Sequence, residues 1–174
     1  MCFSDLLETE AHAAARNAKI LGRILGAGMA FESRLAPGPS SGEGVANSIR
    51  LALQSAQCEP ADVGFVKAHG ASTVVDDPIE ARGIHRVLGE VPVTAPKSYF
   101  GNLGAGGGAV EAVAAVLSLE HALVPVTLNY EKPDAACPVN IVAREPLPLH
   151  ARTAMVLSQS RTGQSAAVLL AAPT

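Results

Sequence analysis

The residue best placed for chemistry is His69, which closes the apolar run VGFVKAHG just before Gly70. In α/β folds, active sites are assembled at the carboxyl ends of buried strands. A histidine there can act as a general base or donate to an oxygen that gains negative charge. The alternative is a histidine satisfied by local hydrogen bonds. Asp76, Asp77 and Glu80 follow closely. Three carboxylates in one short stretch suit a metal or a carboxylate pair. The order Asp77-Pro78-Ile79-Glu80 also reads as a helix start, with Asp at the cap, Pro at the first helical position and Glu at the third.

A second candidate is the loop Gly104-Ala105-Gly106-Gly107-Gly108-Ala109, which fits the dinucleotide pattern G-x-G-x-x-G/A with Glu131 downstream. That fingerprint needs a strand directly before its glycines, and the last strand-like residue is Val93. Lys97 precedes the glycines, the reverse of a P-loop. The other reading is a helix whose small residues allow close packing under a central layer, with its N-terminal amides facing a ligand. His12, His85, His121 and His150 have no metal-binding spacing and read as surface residues. Cys58 sits beside Glu59-Pro60 with no base near it in sequence, a poor context for a nucleophile. Cys2, Cys58 and Cys137 are odd in number and far apart, which fits neither a disulfide framework nor a zinc site. No metal and no cofactor are expected.

The elements that must position these groups belong to a chain of 174 residues, enough for one domain that buries roughly 70% of its unfolded surface. Hydrophobic residues make up 48% and charged residues 17%. A net charge of −3 with 3% aromatics argues against a nucleic-acid surface. No apolar run reaches the ~18 residues that span a bilayer, so a cytoplasmic protein with reduced thiols is expected. Residues 6–17 suggest a short helix or strand exit, and KILGRILGAGMAF a long, bent strand. Residues 33–44 form a loop in which Ser40 and Glu43 have capping-box spacing, and Val45, Ile49, Ala52, Leu53 and Ala56 then recur at helical intervals. VGFVKAHG is a buried strand. A helix carrying Ile84, Val87 and Leu88 follows it and ends at Gly89. A helix over 109–122 is apolar nearly all round and should lie centrally. LVPVTLNY reads as a strand, 131–150 as a Pro-rich connection, and TAMVLSQS and SAAVLLAA as two late strands. Strands alternating with helices make an α/β fold.

AHGASTVVDDPIEA resembles the β-ketoacyl synthase segment A-H-G-T-[GS]-T-x-x-x-D-x-x-E-A, through Ala68, His69, Gly70, Ser72, Thr73, Asp77, Glu80 and Ala81; Ala71 stands in place of Thr. KSYFGNLGAGGGAVEA is similar to the family's K-S-x-x-G-H-x-x-G-A-A-G-A-x-E, through Lys97, Ser98, Gly101, Gly108, Ala109 and Glu111. VPVTLNYEKPD resembles I-P-P-T-x-N-x-x-x-P-D, and LETEAHAAARNAKILGRILGAGMAFES the passage from the first half of the fold into the second. The resemblance implies one half of a thiolase-like fold, a mixed β-sheet with helices on both faces, including a buried Ala/Gly-rich helix. Residues 1–174 would be the C-terminal domain, with 1–17 a remnant of the N-terminal half and crossover.

In that family a cysteine of the first half carries the acyl chain, while two histidines and a lysine of the second half promote malonyl decarboxylation. His69 matches the first histidine, Lys97 the lysine and Glu80 the acidic residue near it, with Asp77 and Thr73 in support. The second histidine is Asn102 here, whose amide can still donate to a carbonyl oxygen. The late G-F-G-G-x-N acyl-pocket gate aligns with Ser160 through Ser165, so Arg161, Thr162 and Gly163 occupy the gate and a cation replaces its Phe. The chain holds no T-A-C-A/S segment. The resemblance thus implies half of a fatty-acid or polyketide condensing enzyme, inactive alone and completed by a complementary N-terminal half or ketosynthase subunit, acting on acyl and malonyl groups borne by acyl carrier protein. It would be a homo- or hetero-oligomer binding neither nucleic acid nor membrane. The alternatives are a non-catalytic partner subunit of chain-length-factor type and, more distantly, a nucleotide-binding α/β domain. With the other half missing, the 109–122 helix should leave an apolar patch open.

Overall fold

A computed structural model describes residues 6–33 and 40–173. Six strands form one mixed sheet. They are β1 (Arg23–Phe31), β2 (Phe65–Lys67), β3 (Pro92–Thr94), β5 (Asn140–Ile141), β7 (Thr153–Gln159) and β8 (Gln164–Ala171), in the order β1-β8-β7-β2-β3-β5. β2 pairs in parallel with β3 and β7, and β3 with β5, while β1–β8 and β7–β8 are antiparallel. β4 (Leu123–Val124) and β6 (Leu147–Pro148) make a separate antiparallel pair.

Because successive side chains of a strand point to opposite faces, each strand feeds two cores. Val66, Met155, Leu157 and Leu169 join Val45, Ile49 and Leu53 of α2 (Glu43–Ala56) and Ile84 and Leu88 of α3 (Asp76–Leu88). Their alternates Phe65, Ala154, Val156 and Leu170 pack on Ala115 and Leu119 of α5 (Gly107–His121). The sheet therefore carries α2 and α3 on one face and α5 on the other. The bend expected in the first strand is a register shift between Ile24 and Gly26. Its glycines have a packing reason: a Cβ on Gly28 would stand 2.3 Å from Ser48 O, and one on Gly26 2.4 Å from Ala52 O. α2 therefore lies directly on the strand backbone.

The expected short helix in residues 6–17 is α1 (Glu10–Ala15), with the Thr9 hydroxyl accepting from His12 N–H at 3.2 Å. Two helix starts differ from their sequence signals. α2 begins at Glu43 behind Gly42 in the left-handed region, so Ser40 and Glu43 form no capping box. Instead Glu32 reaches across from the end of β1, its carboxylate accepting from the N–H groups of Ser41 (2.6 Å) and Gly44 (2.9 Å). α3 begins at Asp76, and its first amide is held by Thr73 Oγ1 at 2.8 Å, not by Asp77. Of LVPVTLNY only Leu123 and Val124 are strand. The Pro-rich connection contributes the short edge strand β5, whose two residues gave too brief a pattern to read.

Candidate functional site

The parallel pair β2–β3 brings the candidate residues together. Lys67 on β2 stands opposite Thr94 on β3, and Ala68 N–H donates to Thr94 O at 2.9 Å. Both strands therefore release the chain at the same end, His69 two residues after β2 and Lys97 three residues after β3. Lys97 opens the single-turn α4 (Lys97–Phe100). The turn is tied down where Ser98 Oγ donates to Ala95 O (2.8 Å) and accepts from Leu128 N–H (3.0 Å), while Thr127 Oγ1 accepts from Ala95 N–H at 3.0 Å. The 123–130 segment thus acts as a brace for the lysine turn.

The Lys97 ammonium lies 2.6 Å from His69 O and 3.2 Å from His69 Nδ1, and it is bonded to Glu111 Oε1. An ammonium has three donors and no acceptor, so these partners use all of its hydrogens, and Nδ1 must present its lone pair. The ring proton therefore sits on Nε2. Burial, reinforced by the charge of Lys97, lowers the His69 pKa to about 4. At neutral pH the imidazole is uncharged and fixed as an Nε2–H donor.

Glu80 secures the other side of His69. Its side chain is buried, and its oxygens accept from His69 N–H at 2.7 Å and Gly70 N–H at 2.8 Å. Burial raises its pKa, and the two backbone amides oppose that rise. Its place near the start of α3 is therefore not a capping one: it anchors the turn that carries His69. Thr73 and Asp76 close that turn through Thr73 Oγ1–Asp76 Oδ2 at 3.0 Å. Asp77 is half-buried, with its pKa raised by burial and Oδ1 without a hydrogen bond.

Asn102 is exposed, and its Oδ1 accepts from Gly104 N–H at 3.0 Å, which leaves the amide NH2 as its outward donor. No hydrogen bond joins it to His69 or Lys97 among the described residues. Arg161 and Thr162 are exposed at the β7–β8 hairpin tip, and Gly163 is buried there with φ +107°. The hairpin is held by Ser160 Oγ and Thr162 Oγ1 at 2.9 Å.

Two members of the cluster escaped the sequence-based site. Lys67 is completely buried and stands 2.6 Å from Glu111 Oε2, an ion pair outside hydrogen-bond geometry; its Nζ donates to Leu157 O at 3.1 Å. Burial brings its pKa down to about 8 against the pull of Glu111. Glu111 is equally buried and takes both lysines. The available signal was a lysine inside an apolar strand two residues before the histidine, which needs a buried anion nearby.

Other candidates separate from this cluster. Among the described residues, no three His, Cys, Asp or Glu side chains are grouped to hold a metal. The glycine loop has no strand directly before it: β3 ends at Thr94, and α4 intervenes. Cys58 is half-buried at the end of α2, donating to Ala56 O at 3.5 Å, and burial raises the Cys137 thiol pKa. Cys2 lies outside the described residues. No helix among the described residues is long and apolar enough to cross a membrane.

Residues 21–131 match the family described as Beta-ketoacyl synthase, C-terminal domain. The 3-oxoacyl-[acyl-carrier-protein] synthase 2 of Mycobacterium tuberculosis (strain ATCC 25618 / H37Rv) is 39% identical over 167 residues, covering 94% of this chain and 40% of that protein. The tetracenomycin polyketide synthase ketoacyl synthase beta subunit of Streptomyces glaucescens is 36% identical over 155 residues, covering 88% and 37%. A solved type II polyketide synthase acyl carrier protein in complex with its ketosynthase bound to the hexaketide superposes with a TM-score of 0.88. It is 31% identical and covers 96% of this chain and 42% of the matched one. The chain thus spans about two fifths of the length of these relatives.

Proposed function

This chain belongs to the β-ketoacyl synthase family, as its C-terminal domain, and we propose that it supplies His69, Lys97 and Asn102 to a decarboxylative Claisen condensation in fatty-acid or polyketide synthesis. The observation that carries this reading is the Lys97 ammonium 3.2 Å from His69 Nδ1, which leaves Nε2–H as the ring's donor. In the reaction, the bond between the malonyl carboxylate and the α-carbon breaks and carbon dioxide leaves. The electron pair spreads onto the thioester oxygen as an enolate. His69 Nε2–H and the Asn102 amide are the donors for that oxygen, and each such donor is worth roughly 3–4 kcal/mol. The α-carbon then attacks the acyl thioester, and the cysteine sulfur of the N-terminal half departs as thiolate. His69 exchanges no proton, so its low pKa suits the role: it stays uncharged across the physiological range.

Two surface features support a complementary N-terminal half as partner. Val110, Val113 and Leu117 are 39%, 41% and 47% exposed, spaced along one side of α5. Ala27, Met29 and Phe31 of β1 are also exposed. They alternate with the glycines under α2, which puts them on the α5 side of the sheet. Acyl carrier protein as donor of the malonyl group is supported by its complex with the matched ketosynthase.

The test is co-expression with the N-terminal half of a relative, followed by mass spectrometry of the carrier protein. A 3-ketoacyl product is expected. A stable complex that makes no product would instead favour a non-catalytic partner subunit, the reading encouraged by the likeness to a beta subunit and by Arg161 at the hairpin tip.

A further inference from the structure

Lys67 is fully buried, charged in water, and has no place in the chemistry assigned above. Such a side chain is rare unless something nearby requires it. Its strand position turns it toward α5, the face Phe65 also takes, and there it meets Glu111 Oε2 at 2.6 Å while Leu157 O accepts at 3.1 Å. Glu111 is thereby held from both sides, Oε2 by Lys67 and Oε1 by Lys97. A carboxylate with only one cation could draw the Lys97 ammonium into a two-oxygen grip and away from His69. With Lys67 filling Oε2, Lys97 is left with one bond to Glu111 and two to His69.

We propose that Lys67 is a positioning residue: from inside β2 it occupies the far oxygen of Glu111, so that Lys97 keeps both of its bonds to His69 and fixes the ring as an Nε2–H donor. The charged groups that act on His69 are Lys97, Glu111, Lys67 and Asp76, so Lys67 also adds directly to the field disfavouring a second ring proton. This inference deepens the reading of His69 and Lys97 as the substrate-facing pair.

The test is an NMR titration of the full chain with its imidazoles labelled with carbon-13 and nitrogen-15, which needs no substrate. In Lys67→Met the His69 midpoint rises by about half a pH unit or more, and the ring loses its bias toward Nε2–H. Lys67→Arg keeps the charge and restores both. A folded Lys67→Met variant with unchanged midpoint and tautomer overturns the proposal and leaves Lys67 a packing residue. Should the Met variant not fold, the lysine nitrogen-15 spectrum of the wild type decides. A charged Lys67 at neutral pH supports the ion-pair role, and a neutral amine overturns it. Absence of condensation in the assembled enzyme would sink the catalytic reading and leave this titration result standing.

Discussion

The Lys97 ammonium stands 3.2 Å from His69 Nδ1, and this contact sets the chemical state of the imidazole. A cation beside a ring nitrogen can only be its donor, so the ring keeps its proton on the opposite nitrogen, while burial, reinforced by that charge, opposes a second.

The first consequence concerns pH. His69 should titrate near pH 4, well below the ordinary value of 6.5, in an NMR titration. Its folded pKa is depressed, so between pH 6.5 and about 4 the unfolded chain binds the proton that the fold refuses. The stabilisation is therefore fully present above pH 6.5 and lost as pH falls through that window. Chemical denaturation of the wild type and His69→Asn isolates this contribution: the wild type should lose more stability on acidification. Parallel pH profiles would contradict the assignment.

The buried carboxylates should be more costly to remove than the exposed ones. Glu80→Ala leaves the amides of His69 and Gly70 without acceptors, a loss of about 1–3 kcal/mol for each group that water does not reach. Glu111→Ala leaves two ammonium groups facing each other in the interior and should cost about 3–5 kcal/mol. Urea melts should rank both well above Glu43→Ala, whose bonds to Arg50 and Arg86 are exposed and worth about 0–1 kcal/mol.

The open face of α5 should govern association. Val113→Lys and Leu117→Glu place charge on exposed positions of the helix and should leave folding intact, while shifting the isolated chain toward monomer in sedimentation. The same variants should weaken capture of an N-terminal half at least tenfold. A variant that bound that half unchanged would show that this face is not the interface.

Part of this is legible in the sequence. The resemblance of the His69–Ala81 and Lys97–Glu111 segments to the family's motifs named the candidate residues, and the fold brings His69 and Lys97 together because both follow parallel strands that end side by side. Helical spacing found α2, and apolar runs marked β1, β2, β7 and β8. What remained hidden depended on contacts between distant segments. Glu32 caps α2 across a loop, and no local spacing records that. Glu80 reads locally as a helix-start residue, and the resemblance alone put it near the site; the fold adds its bond from His69 N–H at 2.7 Å. Lys67 sits inside an apolar strand, and the anion it needs, Glu111, comes from α5, far along the chain. The helix over 109–122 is apolar nearly all round, as read, and in this chain one side of it is covered and the other open.

The most direct measurement is carbon dioxide release from malonyl-carrier protein by the chain assembled with an N-terminal ketosynthase half, compared with His69→Ala and Lys97→Met in the same assembly. Removing one donor to a developing oxyanion typically lowers the rate about 10²–10³-fold. His69→Ala should fall by that factor, and Lys97→Met should follow it while raising the His69 midpoint. Release at wild-type rates in His69→Ala would contradict the account.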